Sequence, residues 1–367
     1  MATMRSLLAL TAFTALAGCQ MAPMPPDPTG RANADMTRVL AAYQASGAKP
    51  VNTLTVRQAR AQATPGDAAA TVAQQMGVAA KLPIAQVSEI TIDGTTGPLA
   101  ARVYNSKTIR GAAPVILYFH GGGWVTGNLD TYDASDRELA YGTGAIVVSV
   151  QYRLGPEFPF PAVQDDADAA YNWLLNNAAT LGGNPRQIAL AGESAGGNLA
   201  IDTAIWARDN HLPMPVHELL IYPVVGTDTD TPSYKETVKA VPLNRKAILW
   251  YVGHFTNSPI DLKDSRLNVV GAADLRGLPP TTIVSAEIDP LRSEGEMLAD
   301  KLQAAGVPVQ QHTYFGVTHE FFGMGAVVGQ AYEAENFAIG QLRASFSAPV
   351  LPAAYTPRRR AINRRTP

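Results

Sequence analysis

The sequence predicts an α/β protein with a mostly parallel eight-stranded sheet and helices on both faces. Two observations lead there. From Val87 onward, short apolar runs alternate with amphipathic stretches, the rhythm of strands joined by crossover helices. Two of the runs also end in glycine-rich turns about 70 residues apart, His120-Gly121-Gly122-Gly123-Trp124 and Gly192-Glu193-Ser194-Ala195-Gly196.

In chain order, apolar runs place strands at 88–92 and 99–104, on either side of an Asp93-Gly94 turn. Further strands are expected at 115–119, 145–150, 188–191, 218–222, 281–286 and 309–314. Helices are expected at 135–141, 164–177, 195–209, 294–305 and 330–345. Asp165 and Asp166 read as favourable charges in the first turn of the helix at 164–177. The break between Tyr222 and Thr281 carries Tyr234, Trp250, Tyr251 and Phe255 and is expected to add a helix or two above the sheet. Residues 33–85 are weakly apolar, with Met36, Val39, Leu40 and Tyr43 on one stripe, and are expected to pack on the main body.

The N-terminus reads as a targeting segment. Arg5 precedes an apolar run, Leu7 to Ala17, too short to span a bilayer. It ends in Leu16-Ala17-Gly18-Cys19, which resembles a bacterial lipoprotein lipobox, so residues 1–18 are expected to be removed and Cys19 lipidated. A secretory signal cleaved elsewhere, for instance after Ala22, is the alternative. Lipidation would anchor the protein to a membrane, periplasmic or outer, without crossing it. Cys19 is the single cysteine, which excludes internal disulfides. Residues 19–32, rich in proline, are expected to be a tether and 347–367, with five arginines, a disordered basic tail. A net charge of −2 gives no reason to expect a nucleic-acid partner.

The chemistry sits in the two turns. A serine hydroxyl attacks a carbonyl only with a base in hydrogen-bond reach and a place for the oxyanion. G-x-S-x-G after a strand and before a helix exposes Ser194 at a helix N-terminus, where free N–H groups favour negative charge. The pattern alone is weak, since about 0.1 chance matches are expected in a chain this long. His-Gly-Gly-Gly-Trp is far rarer. It can turn the N–H groups of Gly122 and Gly123 into the site beside that of Ala195, each worth about 3 kcal/mol to a developing oxyanion. His120 belongs to this loop and is read as bracing it. Among the histidines, His319 follows the last strand on a loop, where a base is needed. Asp289 ends the preceding strand and is the expected orienting acid, with Glu287 and Glu294 as rivals. The scheme calls for neither metal nor cofactor.

These segments resemble the hormone-sensitive-lipase family of α/β-hydrolases. The resemblance rests on 120–124, Tyr152-Arg153-Leu154-Gly155-Pro156-Glu157, 158–166, 192–198, 289–295 and 319–322, and spans about 33 to 346. It departs at Glu193, where Asp is commoner, at Phe158, where His is frequent, and at Ser293, where Asp is frequent. The resemblance implies the α/β-hydrolase fold, a mostly helical cap from 33–85 and 227–262, and a serine carboxylesterase with Ser194, Asp289 and His319 as triad. Its small cap implies short- to medium-chain acyl esters as substrates. Trp124 is a candidate pocket wall, as are the aromatics of the insertion, with core packing the alternative for each. Amides, lactones, acetylated sugars and acyl transfer to alcohols are served by the same triad, and a lipoprotein that binds an acyl ligand without turnover is the remaining alternative.

Overall fold

The computed structural model describes residues 25–347. Among them run β1 (Gln86–Asp93), β2 (Pro98–Asn105), β3 (Ala113–Phe119), β4 (Ile146–Gln151), β5 (Gly183–Glu193), β6 (His217–Ile221), β7 (Thr281–Ile288) and β8 (Val309–Thr318). They form one sheet in the order β1-β2-β4-β3-β5-β6-β7-β8. The β1·β2 and β2·β4 pairs are antiparallel and the rest parallel. Each predicted strand is therefore present, extended at one or both ends in all but two cases: β4 is shifted one residue toward the C-terminus and β6 one residue toward the N-terminus.

The helices are α1 (Ala34–Ala45), α2 (Val56–Ala61), α3 (Pro65–Met76), α4 (Asp133–Thr143), α5 (Ala162–Asn177), α6 (Ala195–Asp209), α7 (Pro232–Glu236), α8 (Arg245–Phe255), α9 (Val269–Ala272), α10 (Arg292–Ala304) and α11 (Gly329–Ser347). Local chemistry sets the N-terminal ones. Thr55 with Gln58 and Thr64 with Asp67 make reciprocal capping boxes at α2 and α3, and Gly77 closes α3 in the left-handed region.

Central strands are buried on both faces, which is why they read as continuous apolar runs. Along β3 the side chains alternate. Val115, Leu117 and Phe119 join a core with Leu174, Leu199 and Leu298 of α5, α6 and α10. Ile116 and Tyr118 face the opposite core, with Leu139 of α4, Ala338 of α11 and Met36 and Val72 of α1 and α3. Residues 33–85 thus pack on the main body, as their composition requires.

Three expectations are corrected. The tether predicted at 19–32 does not extend through its last residues: the Asp27 carboxylate accepts N–H bonds from Thr29, Arg31 and Ala32, and Arg31 pairs with Glu287 at 2.9 Å. Asp165 lies in the first turn of α5, as expected, but Asp166 lies beyond it. It is buried, and a fork of Arg153 grips its two oxygens at 2.7 and 2.8 Å, with the Arg153 N–H adding a third bond. The break after Tyr222 holds three short helices, α7 to α9, because each end must return to the sheet. Residues 1–24, including Cys19, and 348–367 of the expected tail lie outside the described residues, while Ser347 ends α11.

Candidate active site

Register places the two glycine turns side by side. Phe119, the last residue of β3, pairs with Gly192 of β5, so Ser194 and His120 both leave the same carboxyl edge of the sheet. Ser194 is the residue between β5 and α6, at φ 56° and ψ −115°, a strained conformation for a residue with a Cβ. Its N–H donates to Ile221 O at 2.9 Å and its carbonyl accepts from Val224, which clamps the turn against β6. The motif glycines are steric necessities. A Cβ on Gly192 would lie 2.2 Å from Gly196 O, and one on Gly196 would lie 1.9 Å from Phe119 O.

His319 follows β8 and reaches both partners. Nε2 lies 3.0 Å from Ser194 Oγ, and Nδ1 lies 2.6 Å from Asp289 Oδ2. A carboxylate only accepts, so Nδ1 carries the proton and Nε2 is the acceptor for the serine hydroxyl. Asp289 is fully buried, and its Oδ1 takes the Leu291 N–H at 2.9 Å. Of its rivals, Glu287 is spent on Arg31 and the Gly316 N–H, and Glu294 on the N–H groups of Val225 and Gly226. Burial by itself would lower the His319 pKa. The Asp289 charge and hydrogen bond, with Glu320 and Glu193 beyond, outweigh burial and raise it.

Opposite the serine, Gly122 and Gly123 hold φ of 102° and 59°. A Cβ on Gly122 would meet Thr126 O at 2.3 Å, and one on Gly123 the Tyr251 ring at 2.4 Å. Thr126 and Val125 N–H groups close a tight turn on Gly122 O. His120 stacks on Tyr152 at 4.2 Å, and its Nδ1–H donates to Gly121 O at 2.8 Å. Burial lowers its pKa to about 4, so it is a neutral brace. Ala195 opens α6 beside Ser194.

Comparison with known proteins agrees with this architecture. A family profile described as the alpha/beta hydrolase fold matches residues 116–323. A carboxylesterase of Mycobacterium tuberculosis is 42% identical over 273 residues, 73% of this chain and 85% of that protein. The chain belongs to the hormone-sensitive-lipase-like family of α/β-hydrolases. An ethyl acetate hydrolase of Pseudomonas putida is 35% identical, over 68% of this chain and 79% of its own. Among solved structures, an esterase of Pyrobaculum calidifontis is 36% identical with a TM-score of 0.74, covering 81% of this chain and 95% of that one. A thermostable esterase of Pseudomonas putida reaches 0.78 at 30% identity, covering 87% and 99%.

In this α/β-hydrolase, Ser194 and His319 open into a cavity of about 360 Å³. One wall comes from the N-terminal segment (Tyr43, Val51, Ala59, Arg60, Pro65) and another from the insertion (Leu243, Ile248, Tyr251, Val252). Trp124 lines it, held by stacking on Phe255 at 4.6 Å. Of the four insertion aromatics only Tyr251 lines it. Tyr234 is buried against Glu294, Phe255 packs under Trp124, and Trp250 donates to Leu54 O, tying the two walls together.

Sequence reasoning missed several neighbours of the triad in this α/β-hydrolase. Tyr222, one residue past β6, lays its ring 4.5 Å from His319, and its hydroxyl, like that of Tyr118, donates to Glu193. Burial, then the Glu320 charge, push the Glu193 carboxyl up to about 7 against these bonds. Tyr132 donates to Glu320, and Arg60 donates to Val125 O at 2.8 Å and Gly155 O at 2.7 Å. The usable signal for Tyr222 was its place at a strand's carboxyl end. Arg60 carried none.

Proposed function

We propose that this carboxylic ester hydrolase works in two steps through an acyl-enzyme on Ser194. One observation carries the reading: a single imidazole, His319, within hydrogen-bond reach of both Ser194 Oγ and Asp289. In the first step Oγ bonds to the ester carbonyl carbon and gives its proton to Nε2. The oxyanion takes the N–H groups of Gly122, Gly123 and Ala195. The tetrahedral adduct collapses, the alcohol leaves with the proton from Nε2, and the acyl group stays on Oγ. Water then repeats the sequence and releases the acid. Asp289 holds the tautomer and stabilises the imidazolium without taking its proton.

A cavity of about 360 Å³, near the small end of ligand sites, supports short- to medium-chain acyl groups. The helical walls from 33–85 and 227–262 act as its cap. The carboxylesterase and ethyl acetate hydrolase relatives support the same class of substrate. The test is a p-nitrophenyl ester series from acetate to palmitate, with turnover greatest on the shorter esters. Ser194→Ala retaining full activity, or no covalent labelling of Ser194 by a fluorophosphonate, overturns the assignment.

The lipobox-like Leu16-Ala17-Gly18-Cys19 supports anchoring through a lipidated Cys19 after export. Mass spectrometry of protein from membranes tests it, and an unmodified or absent Cys19 refutes it.

A further inference from the structure

Glu320 stands next to His319, and the two-step scheme gives it no role. It follows His319 at φ 70°, in the left-handed region that a residue with a Cβ occupies only when its surroundings hold it there. That conformation turns its carboxylate back toward the imidazole. Oε1 lies 3.9 Å from His319 Nε2, too far for a direct bond and close enough to share one small molecule with it. Tyr132 fixes the carboxylate, its hydroxyl lying 2.8 and 3.0 Å from the two oxygens. Gly121 makes room for that hydroxyl, since a Cβ there would lie 2.4 Å from it. The Glu320 side chain keeps a fifth of its surface accessible, and it faces two spaces. One is the acyl cavity. The other is a second chamber of about 80 Å³, which shares only Thr131, Tyr132 and Glu320 with the first. Lys81, Asp130, Ser135 and Glu193 add polar groups to its lining. Its lining is mixed, with Ala69, Ala73, Phe322 and Met324 between these polar groups, and its volume has room for several waters.

We propose that Glu320, aimed by Tyr132, positions the water that deacylates the enzyme, and that the second chamber supplies that water. This rests on the acyl-enzyme reading above. The water oxygen bonds to the acyl carbonyl carbon and passes one proton to His319 Nε2. Its second hydrogen stays bonded to Glu320 Oε1, which fixes the direction of the lone pair. The adduct collapses, the bond to Ser194 Oγ breaks, and Oγ takes the proton from Nε2. Glu320 exchanges no proton; it is a positioning residue. An alcohol has one O–H, which goes to the imidazole, so it has nothing to offer Glu320. The carboxylate therefore favours water over alcohol as the second nucleophile.

That asymmetry supplies the test. Wild type and Glu320→Leu, full-length, are given p-nitrophenyl butyrate in water containing methanol, and methyl butyrate and butyrate are quantified. The ester-to-acid ratio is expected to rise about tenfold in Glu320→Leu, the effect of losing one bond to a charged acceptor. The p-nitrophenol burst, which reports acylation, is read alongside, and any change in it divides out of the ratio because both products arise from the same acyl-enzyme. A purely structural loss slows both products together and leaves the ratio alone; an unchanged or lowered ratio overturns the proposal. Tyr132→Phe gives a second reading if Glu320→Leu does not fold, with the ratio moving the same way by less. The acyl-enzyme reading fails separately, if wild type forms no butyryl adduct on Ser194.

Discussion

The α-carbon of Gly196 faces the carbonyl oxygen of Phe119 so closely that a methyl group on it would sit 1.9 Å away. The first turn of α6 thus rests directly on the end of β3, and Ser194 and the glycine loop are held at a fixed separation. Gly196→Ala must push the two apart, and kcat/KM is expected to fall at least a hundredfold, as about 1 Å of misplacement allows. Gly340, exposed on α11 with nothing within 4 Å of its would-be Cβ, is the contrast. Gly340→Ala is expected to stabilise by about 0.5–1 kcal/mol in urea unfolding with unchanged turnover.

In the proposed mechanism His319 must be neutral at Nε2 to accept the serine proton. Its pKa is raised, so kcat/KM is expected to fall on the acid side with a midpoint above the ordinary imidazole value of 6.5. Removing the carboxylate in Asp289→Asn takes away the main raising influence and the tautomer lock. The midpoint should move to lower pH while the plateau drops about 10⁴-fold. A pH–rate profile on a soluble ester checks both.

Glu218 lies fully buried on β6, with Oε2 bonded to Thr281 and Oε1 without a partner. Burial pushes its carboxyl from 4.5 up to about 8, as it does Glu294 and Glu335. The stability such raised groups contribute is present below 4.5 and lost as pH rises through about 8. Below 6.5 the buried His120 and His217, both lowered to about 4, act in the opposite direction. Between pH 6.5 and 9 the carboxyls act without them, and Tm is expected to fall by roughly 5 °C. Glu218→Gln should make that slope shallower.

Arg60 joins α2 to the loop after the glycines, bonding Val125 O, Gly155 O and both oxygens of Glu157. Arg60→Met keeps the aliphatic stem and removes these bonds. The cavity wall loosens while Ser194 and His319 keep their own supports. KM is expected to rise about fivefold, equivalent to about 1 kcal/mol, with kcat changing less.

Much of this protein is local in origin. Alternation of apolar runs, the sterically obligatory glycines at 192 and 196, and the order Ser194, Asp289, His319 are all properties of neighbouring residues, and the strands and helices follow from them. Only the tertiary structure separates Asp289 from Glu287 and Glu294, which stand near it in the chain and end on Arg31 and on backbone N–H groups instead. The same holds for Asp166, for Arg60 and for the Tyr132–Glu320 pair, whose members lie 188 positions apart. Periodicity reports which face of an element is buried. Which distant groups meet at that face depends on strand order and register, and those are decided when the whole sheet closes its core.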